Sequence, residues 1–216
     1  MMKAIILFGL IMGAIAAPKN TDAEYRAQLM MEFKDFIVAM PMQKMYATLM
    51  DHLNNDLEMQ AALKYVQGKE FKQSLRALMS RPSTKELRMK YSEAGLDLDR
   101  YEKMISDIMG GMVFSVPEDT NRSFGSYLSD LNDLIPYDKL IDLWTKKMHE
   151  SPVFIKFVSA ITTEEMHMLF DKTIHSPEFK RVAQDLEDMD VGIYDILKVL
   201  YELCGWVKQP AEPNDL

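Results

Sequence analysis

Tyr101, Met104, Ile105, Ile108 and Met109 fall three and four residues apart, which places them on one stripe of a helix. A second stripe, Ile196, Val199, Leu200, Leu203 and Cys204, lies 95 residues further on. Laying the chain over itself with that shift brings other positions into register without a gap. Asp35 meets Asp130, Pro41 meets Pro136, Lys44 meets Lys139, Pro82 meets Pro177, Lys85 meets Lys180, Lys103 meets Lys198 and Gly110 meets Gly205. Apolar character follows the same register, in Met45/Leu140, Leu49/Trp144, Leu53/Met148, Met59/Phe154, Leu63/Val158, Val66/Ile161, Phe71/Met166 and Leu75/Phe170. Helix breakers and core positions agreeing at one fixed period indicate an internal duplication.

Each copy is punctuated as about six short helices, and the two copies mark equivalent boundaries with different residues. A first helix from about Asp22 to Ala39, and its counterpart from about Arg122 to Leu134, end before paired prolines, because the residue before Pro avoids the helical region. Pro41 and Pro136 open the second helices, where no amide donor is needed. Asp56 and Ser151 are matched N-caps for the third, with Pro152 just inside the latter. Gly68 separates the third and fourth helices of the first copy, and Thr162 with Glu165 suggests a capping box at that point in the second. Pro82 and Pro177 begin the fifth helices, with Ser176 as N-cap in one copy and Ser83 to Glu86 as a capping box in the other. Gly95 stops the fifth helix, Asp97 or Asp99 restarts the chain, and Gly110 and Gly205 close the sixth pair. No sustained two-residue alternation is present, and Met112 to Pro117 is too isolated to form a sheet.

The pattern predicts an all-α fold of two tandem repeats, residues 17–110 and 124–205, joined by a loop over 111–123 and followed by a tail over 206–216. Six short amphipathic helices offer little interior alone, so the repeats are expected to pack as one domain.

Residues 1–16 precede this pattern and read as a secretory leader: Lys3, then an apolar run from Ala4 to Ile15, then a small-residue cleavage site at Ala14 and Ala16. The run is short for a membrane span and no second one follows, so a soluble secreted product is expected. A net charge of −8, without a basic block, argues against nucleic acid as a partner. The single cysteine, Cys204, can form no internal disulfide and reads as a small buried hydrophobe. Asn121-Arg122-Ser123 is a glycosylation acceptor pattern in the inter-repeat loop.

Catalytic chemistry finds little foothold. None of His52, His149, His167 and His175 has the spacing of a zinc-protease helix, and all four read as solvated surface residues. Glu164 and Glu165 beside His167 are explained by the dipole at a helix start. No Ser lies in a Gly-x-Ser-x-Gly elbow, and Gly110-Gly111 follows a helix where a phosphate loop would follow a strand. No enzyme activity, metal or cofactor is expected. Methionine is the unusual component, at nineteen residues, with Met40, Met42, Met45 and Met50 gathered around the second helix. Flexible, polarizable Met suits either a loosely specified core or an interior that adapts to acyl chains, and composition leaves both open.

Four runs, Met40-Pro41-Met42-Gln43-Lys44-Met45, Asn55 to Val66, Glu70-Phe71-Lys72 and Glu93-Ala94-Gly95-Leu96-Asp97, resemble the insect allergen repeat family. That family takes in the cockroach major allergen, midgut microvillar proteins and nitrile-specifier proteins. The second copy keeps Leu134 to Leu140 and Ser176 to Lys180, and departs at Glu150-Ser151 and Asp190-Val191-Gly192, where the family has Asn-Asp and Gly-Leu-Asp turns. The resemblance implies a helical shell around one apolar cavity that holds fatty acid or phospholipid, in a protein secreted to the insect gut lumen or microvillar surface. It implies lipid as partner, with transient membrane contact, and two alternatives: nitrile-specifier activity in glucosinolate detoxification, or lipid exchange at membranes. The residues then expected at the cavity are Met45, Leu49, Leu53, Met59, Leu63, Phe71 and Leu75, with Leu140, Trp144, Met148, Phe154, Val158, Met166 and Phe170 from the second copy.

Overall fold

The computed structural model describes residues 23–206, apart from the side chains of Tyr101, Met104 and Ile108. The leader over 1–16 and the tail beyond Trp206 lie outside the described residues. Twelve helices and no strand are found among these residues. They are α1 (Ala23–Ala39), α2 (Met42–Asn55), α3 (Leu57–Val66), α4 (Lys69–Ser80), α5 (Pro82–Ala94) and α6 (Leu98–Gly110), then α7 (Gly125–Leu134), α8 (Tyr137–Glu150), α9 (Pro152–Ile161), α10 (Glu164–Ile174), α11 (Pro177–Glu187) and α12 (Ile193–Cys204). The bounds of α2 and α8, and of α3 and α9, differ by 95 residues at both ends, and the next three pairs share that displacement at their starts. The first pair shares only its end. α7 begins at Gly125 rather than near Arg122 because the chain before it is held by other segments: the Ser123 amide donates to the Glu58 carbonyl at 3.3 Å and the Phe124 amide to the Met189 carbonyl at 2.8 Å.

Several boundary devices are those expected. Asp56 accepts from the Met59 amide at 3.0 Å and Ser151 from the Phe154 amide at 3.2 Å, two different side chains filling the same N-cap role. Ser176 caps α11 and Asp97 caps α6 in the same way. Gly95, at φ +110°, ends α5 in a left-handed turn, and a Cβ there would lie 2.8 Å from Leu29 Cδ2.

Two capping boxes do not form. Thr162 is the C-cap that follows α9, its own amide bonded to the Val158 carbonyl, so the N-cap of α10 falls to Thr163, whose hydroxyl accepts from the Met166 amide at 3.2 Å. Ser83 and Thr84 lie buried inside the first turn of α5, and the N-cap is Arg81, without a side-chain cap bond. The first copy's sixth helix also runs one residue past expectation, with Gly111 as its C-cap.

The two sets of helices are interleaved. α1 packs on α8 while α7 packs on α2, and α4 packs on α11 while α10 packs on α5. These two sets of contacts are reciprocal, as about a two-fold axis, whereas α9 also packs on α1 and α5 without an equally close counterpart at α3. Three apolar clusters result. The largest joins Leu29, Phe33 and Phe36 of α1 to Met45, Leu140, Phe154, Phe157, Val158 and Ile161. A second sets Leu87 of α5 among Met166, Leu169, Phe170 and Ile174 of α10 and Leu197 and Tyr201 of α12. The third joins Ala62, Phe71 and Leu78 to Val182 and Met189. All three draw on helices of both copies.

Polar contacts at the interface obey the same symmetry. Lys147 at the end of α8 is buried and donates to Asp35 of α1 at 2.6 Å and to Glu32 at 2.5 Å. Its equivalent in α2 is His52, which is buried and bridges Asp130 of α7 at 2.9 Å and Asp56 at 2.7 Å. Asp35 and Asp130 are themselves equivalent. The expectation of a solvated surface His52 is thus corrected: where the two copies meet, one copy sets a lysine between two carboxylates and the other a histidine. His149 and His175 are exposed, each with Nδ1 at hydrogen-bond distance from a carbonyl one turn back.

Burial desolvates His52 and works against its charge, but the hydrogen bonds to Asp130 and Asp56 and the charge of both carboxylates outweigh it and raise the pKa above the ordinary 6.5. The aromatic ring of Tyr127, 5.5 Å away, is its remaining close neighbour from α7. A raised folded-state pKa stabilises fully below the unfolded value and loses that contribution as pH rises through the folded one. Urea midpoints should therefore fall from pH 6 to pH 9 in the native chain. In His52→Lys that fall should flatten; an unchanged slope would show that His52 does not supply it.

Candidate ligand groove

Helix α4 buries Phe71 and Leu78 in the third cluster and presents Leu75 and Met79 along its flank. Helix α6 packs mainly on α5 and leaves Ile105 and Met109 facing α4 across a gap. The space between them is an open, mainly apolar groove of about 390 Å³. That volume is in the lower part of the ~300–1,000 Å³ usual for ligand pockets and suits one chain or ring system.

Polar side chains stand around this floor. Gln67 Nε2 donates to the carbonyls of Met109 at 2.7 Å and Met112 at 3.3 Å, tying the end of α6 to the end of α3. Glu102 accepts from Arg88 at 2.7 Å. Lys72 and Arg76, one turn apart on α4, both line the groove and have no ion-pair partner among the described residues. The local electrostatics therefore favour an anion beside the apolar floor.

The equivalent place in the second copy, between α10 and α12, is filled. Gly205, at φ +66°, turns the chain back after α12 and seats Trp206 against the helices. The indole stacks on His167 at 4.8 Å between ring centres, with Phe170 at 5.3 Å and Tyr201 at 5.5 Å. Its Nε1 donates to the Thr162 carbonyl at 3.5 Å, the position of Gln67 in the first copy. The Tyr201 hydroxyl donates to Asp171. In the 95-residue register Trp206 corresponds to Gly111, Tyr201 to Ser106, His167 to Lys72 and Asp171 to Arg76. Two large rings of one copy are replaced by a glycine and a serine in the other, and a carboxylate by a guanidinium.

Of the residues expected at a cavity, this groove gathers Phe71 and Leu75. Met45, Leu140, Phe154 and Val158 are packed in the first cluster, with Trp144 and Met148 against its edge, and Met166 and Phe170 lie in the second. Met59 is buried outside the three clusters, while Leu49, Leu53 and Leu63 are half-buried there. The methionines around α2 divide, Met40 and Met45 buried and Met42 and Met50 exposed. His167 is half-buried as part of the aromatic plug, not solvated. Cys204 is half-buried, and burial pushes its thiol up to about 12, far from a reactive thiolate. Asn121 is exposed, whereas Ser123 of the same tripeptide is buried, donating to Asp190 at 2.6 Å.

The sequence pattern did not single out Arg76 or Ser106, took in Lys72 only within the run Glu70-Phe71-Lys72, and set Gly111 aside as no phosphate loop. The register held a signal for them, because a position that is aromatic in one copy and small in the other marks a change in filled volume. That signal becomes legible only once the two copies are known to build equivalent spaces.

The described residues form an all-helical fold with an amphiphilic groove between α4 and α6. Residues 28–197 match the family described as insect allergen related repeat, nitrile-specifier detoxification, and the chain belongs to that family. Protein G12 of Anopheles gambiae is a relative, 23% identical over 182 residues, covering 81% of this chain and 86% of that protein.

Proposed function

We propose that the protein binds lipid, fatty acid or phospholipid, and sequesters or ferries it in the insect gut lumen or at microvilli, after secretion under the direction of residues 1–16. The apolar groove open between α4 and α6 is the observation that carries this reading, because a space floored by Phe71, Leu75 and Met79 is stable when an apolar chain covers it. Each methylene buried contributes about 0.8 kcal/mol, so an acyl chain is held without covalent chemistry and without many polar contacts. Membership of an insect family supports the setting. No helix among the described residues is long and apolar enough to cross a membrane, which fits contact with a bilayer that is transient.

Organic extraction of the natively purified chain, followed by lipid mass spectrometry, should return bound lipid in stoichiometric amount. Fully folded protein that yields none and takes up none would overturn the reading. The family's description favours a second reading, nitrile-specifier activity. Incubation with a glucosinolate and its hydrolase tests it, and release of isothiocyanate alone is the outcome expected here.

A further inference from the structure

The comparison between the copies points to more than a lipid-binding capacity. We propose that the chain carries one selective site, the α4–α6 groove, for a single-chain amphiphile with an anionic head, and that the second copy's equivalent site is permanently closed by its own Trp206 and Tyr201. This rests on the lipid-binding reading and adds location, number and head-group charge to it.

Three observations converge. The space is built: the same helix pair in the second copy holds an indole and a phenol ring, and the first copy has Gly111 and Ser106 at those positions. The backbone maintains the difference, since Gly205 is left-handed and directs Trp206 inward, whereas α6 continues helically through Gly110 to Gly111 at φ −88°. The charge is matched to an occupant: where Tyr201 donates a hydrogen bond to Asp171, the first copy offers Ser106 and the cation Arg76, with Lys72 one turn away. A neutral occupant would leave that reversal without use. A carboxylate or phosphate monoester at the end of one acyl chain accepts from Arg76 and Lys72 while its tail takes the place of the rings. The volume of about 390 Å³ argues for one chain instead of two.

The delipidated full-length chain is titrated with sodium oleate, oleoyl lysophosphatidate and oleyl alcohol. One equivalent of either anion should bind at least tenfold more tightly than the alcohol, and the two anions distinguish a carboxylate from a phosphate preference. Arg76→Glu should erase the advantage of the anions. Ser106→Trp, on an exposed face of α6, plugs the groove and should weaken oleate binding at least tenfold with an unchanged circular dichroism spectrum; Leu75→Trp fills the same space from α4 and serves as a second test. Native-strength oleate binding in both plugged variants would overturn the location while leaving lipid binding standing. Equal affinity for oleate and oleyl alcohol would overturn the anionic head. Two equivalents in the native chain would overturn the closure of the second copy. No uptake of any probe, together with lipid-free purified protein, would instead sink the lipid-binding reading itself.

Discussion

Phe33→Ala should cost about 3–5 kcal/mol of folding stability, the range for removing a fully buried aromatic ring from a packed core. Phe33 is 0% exposed and touches rings from both copies: Phe157 at 5.3 Å and 82°, Phe154 at 5.8 Å and 63°, and Phe36 at 6.3 Å. Edge-to-face pairs add to area burial, and here they join α1 to α9 across the boundary between the copies. At roughly 2–4 °C per kcal/mol for a chain of this size, the thermal midpoint should fall by about 10 °C. Urea unfolding followed by circular dichroism checks it. A loss under about 1 kcal/mol would mean that the aromatic cluster repacks around the hole, and that the copies are joined chiefly elsewhere.

The second large effect is expected at Lys147. Lys147 is 7% exposed, and its ammonium faces both Glu32 and Asp35 and lies 5.9 Å from the centre of the Phe36 ring. Burial alone would lower its pKa, but the two hydrogen-bonded carboxylates raise it, so it stays charged throughout the usual range. Removing one partner of a fully buried ion pair costs ~3–5 kcal/mol, mostly for the charge left behind. Asp35 is 59% exposed and Glu32 25%, so water screens what remains, and Lys147→Met should cost about 2 kcal/mol. Lys147→Ala should cost about 1 kcal/mol more, because the stem is lost too. Adding Asp35→Asn to Lys147→Met should recover part of the loss. Additive losses in that cycle would show that Asp35 contributes nothing through the lysine.

Much of the fold is legible in the sequence because local chemistry writes it. Pro82 and Pro177 start helices, Asp56 and Ser151 cap them, and Gly95 and Gly205 end them, with backbone geometry that few other residues accept. Thr162 and Ser83 show the limit. A capping pattern states that a cap is possible nearby, and only the packing of the preceding helix decides which residue is free to make it. His52 shows another limit, since its partner Asp130 lies on the other copy, far away in sequence. The register did pair His52 with Lys147 and Asp35 with Asp130, and that matched cation and carboxylate was the available clue. For the groove, Phe71 and Leu75 were legible as apolar positions, but periodicity describes which face is apolar and says nothing of what covers it. Met166 and Phe170 follow the same pattern and are covered by Trp206 and Tyr201.

The reciprocal contacts between α1 and α8, and between α7 and α2, are those by which two identical subunits would embrace. Joined through residues 111–124, such a pair no longer depends on the concentration of its halves, because the tether makes every encounter intramolecular. Joining also ends their obligation to remain alike. In a true homodimer, a mutation that closed one pocket would close both, and a histidine at one contact would appear at the other. A fused pair can stop up one chamber and keep the other, and can make one seam permanent while the other responds to protons.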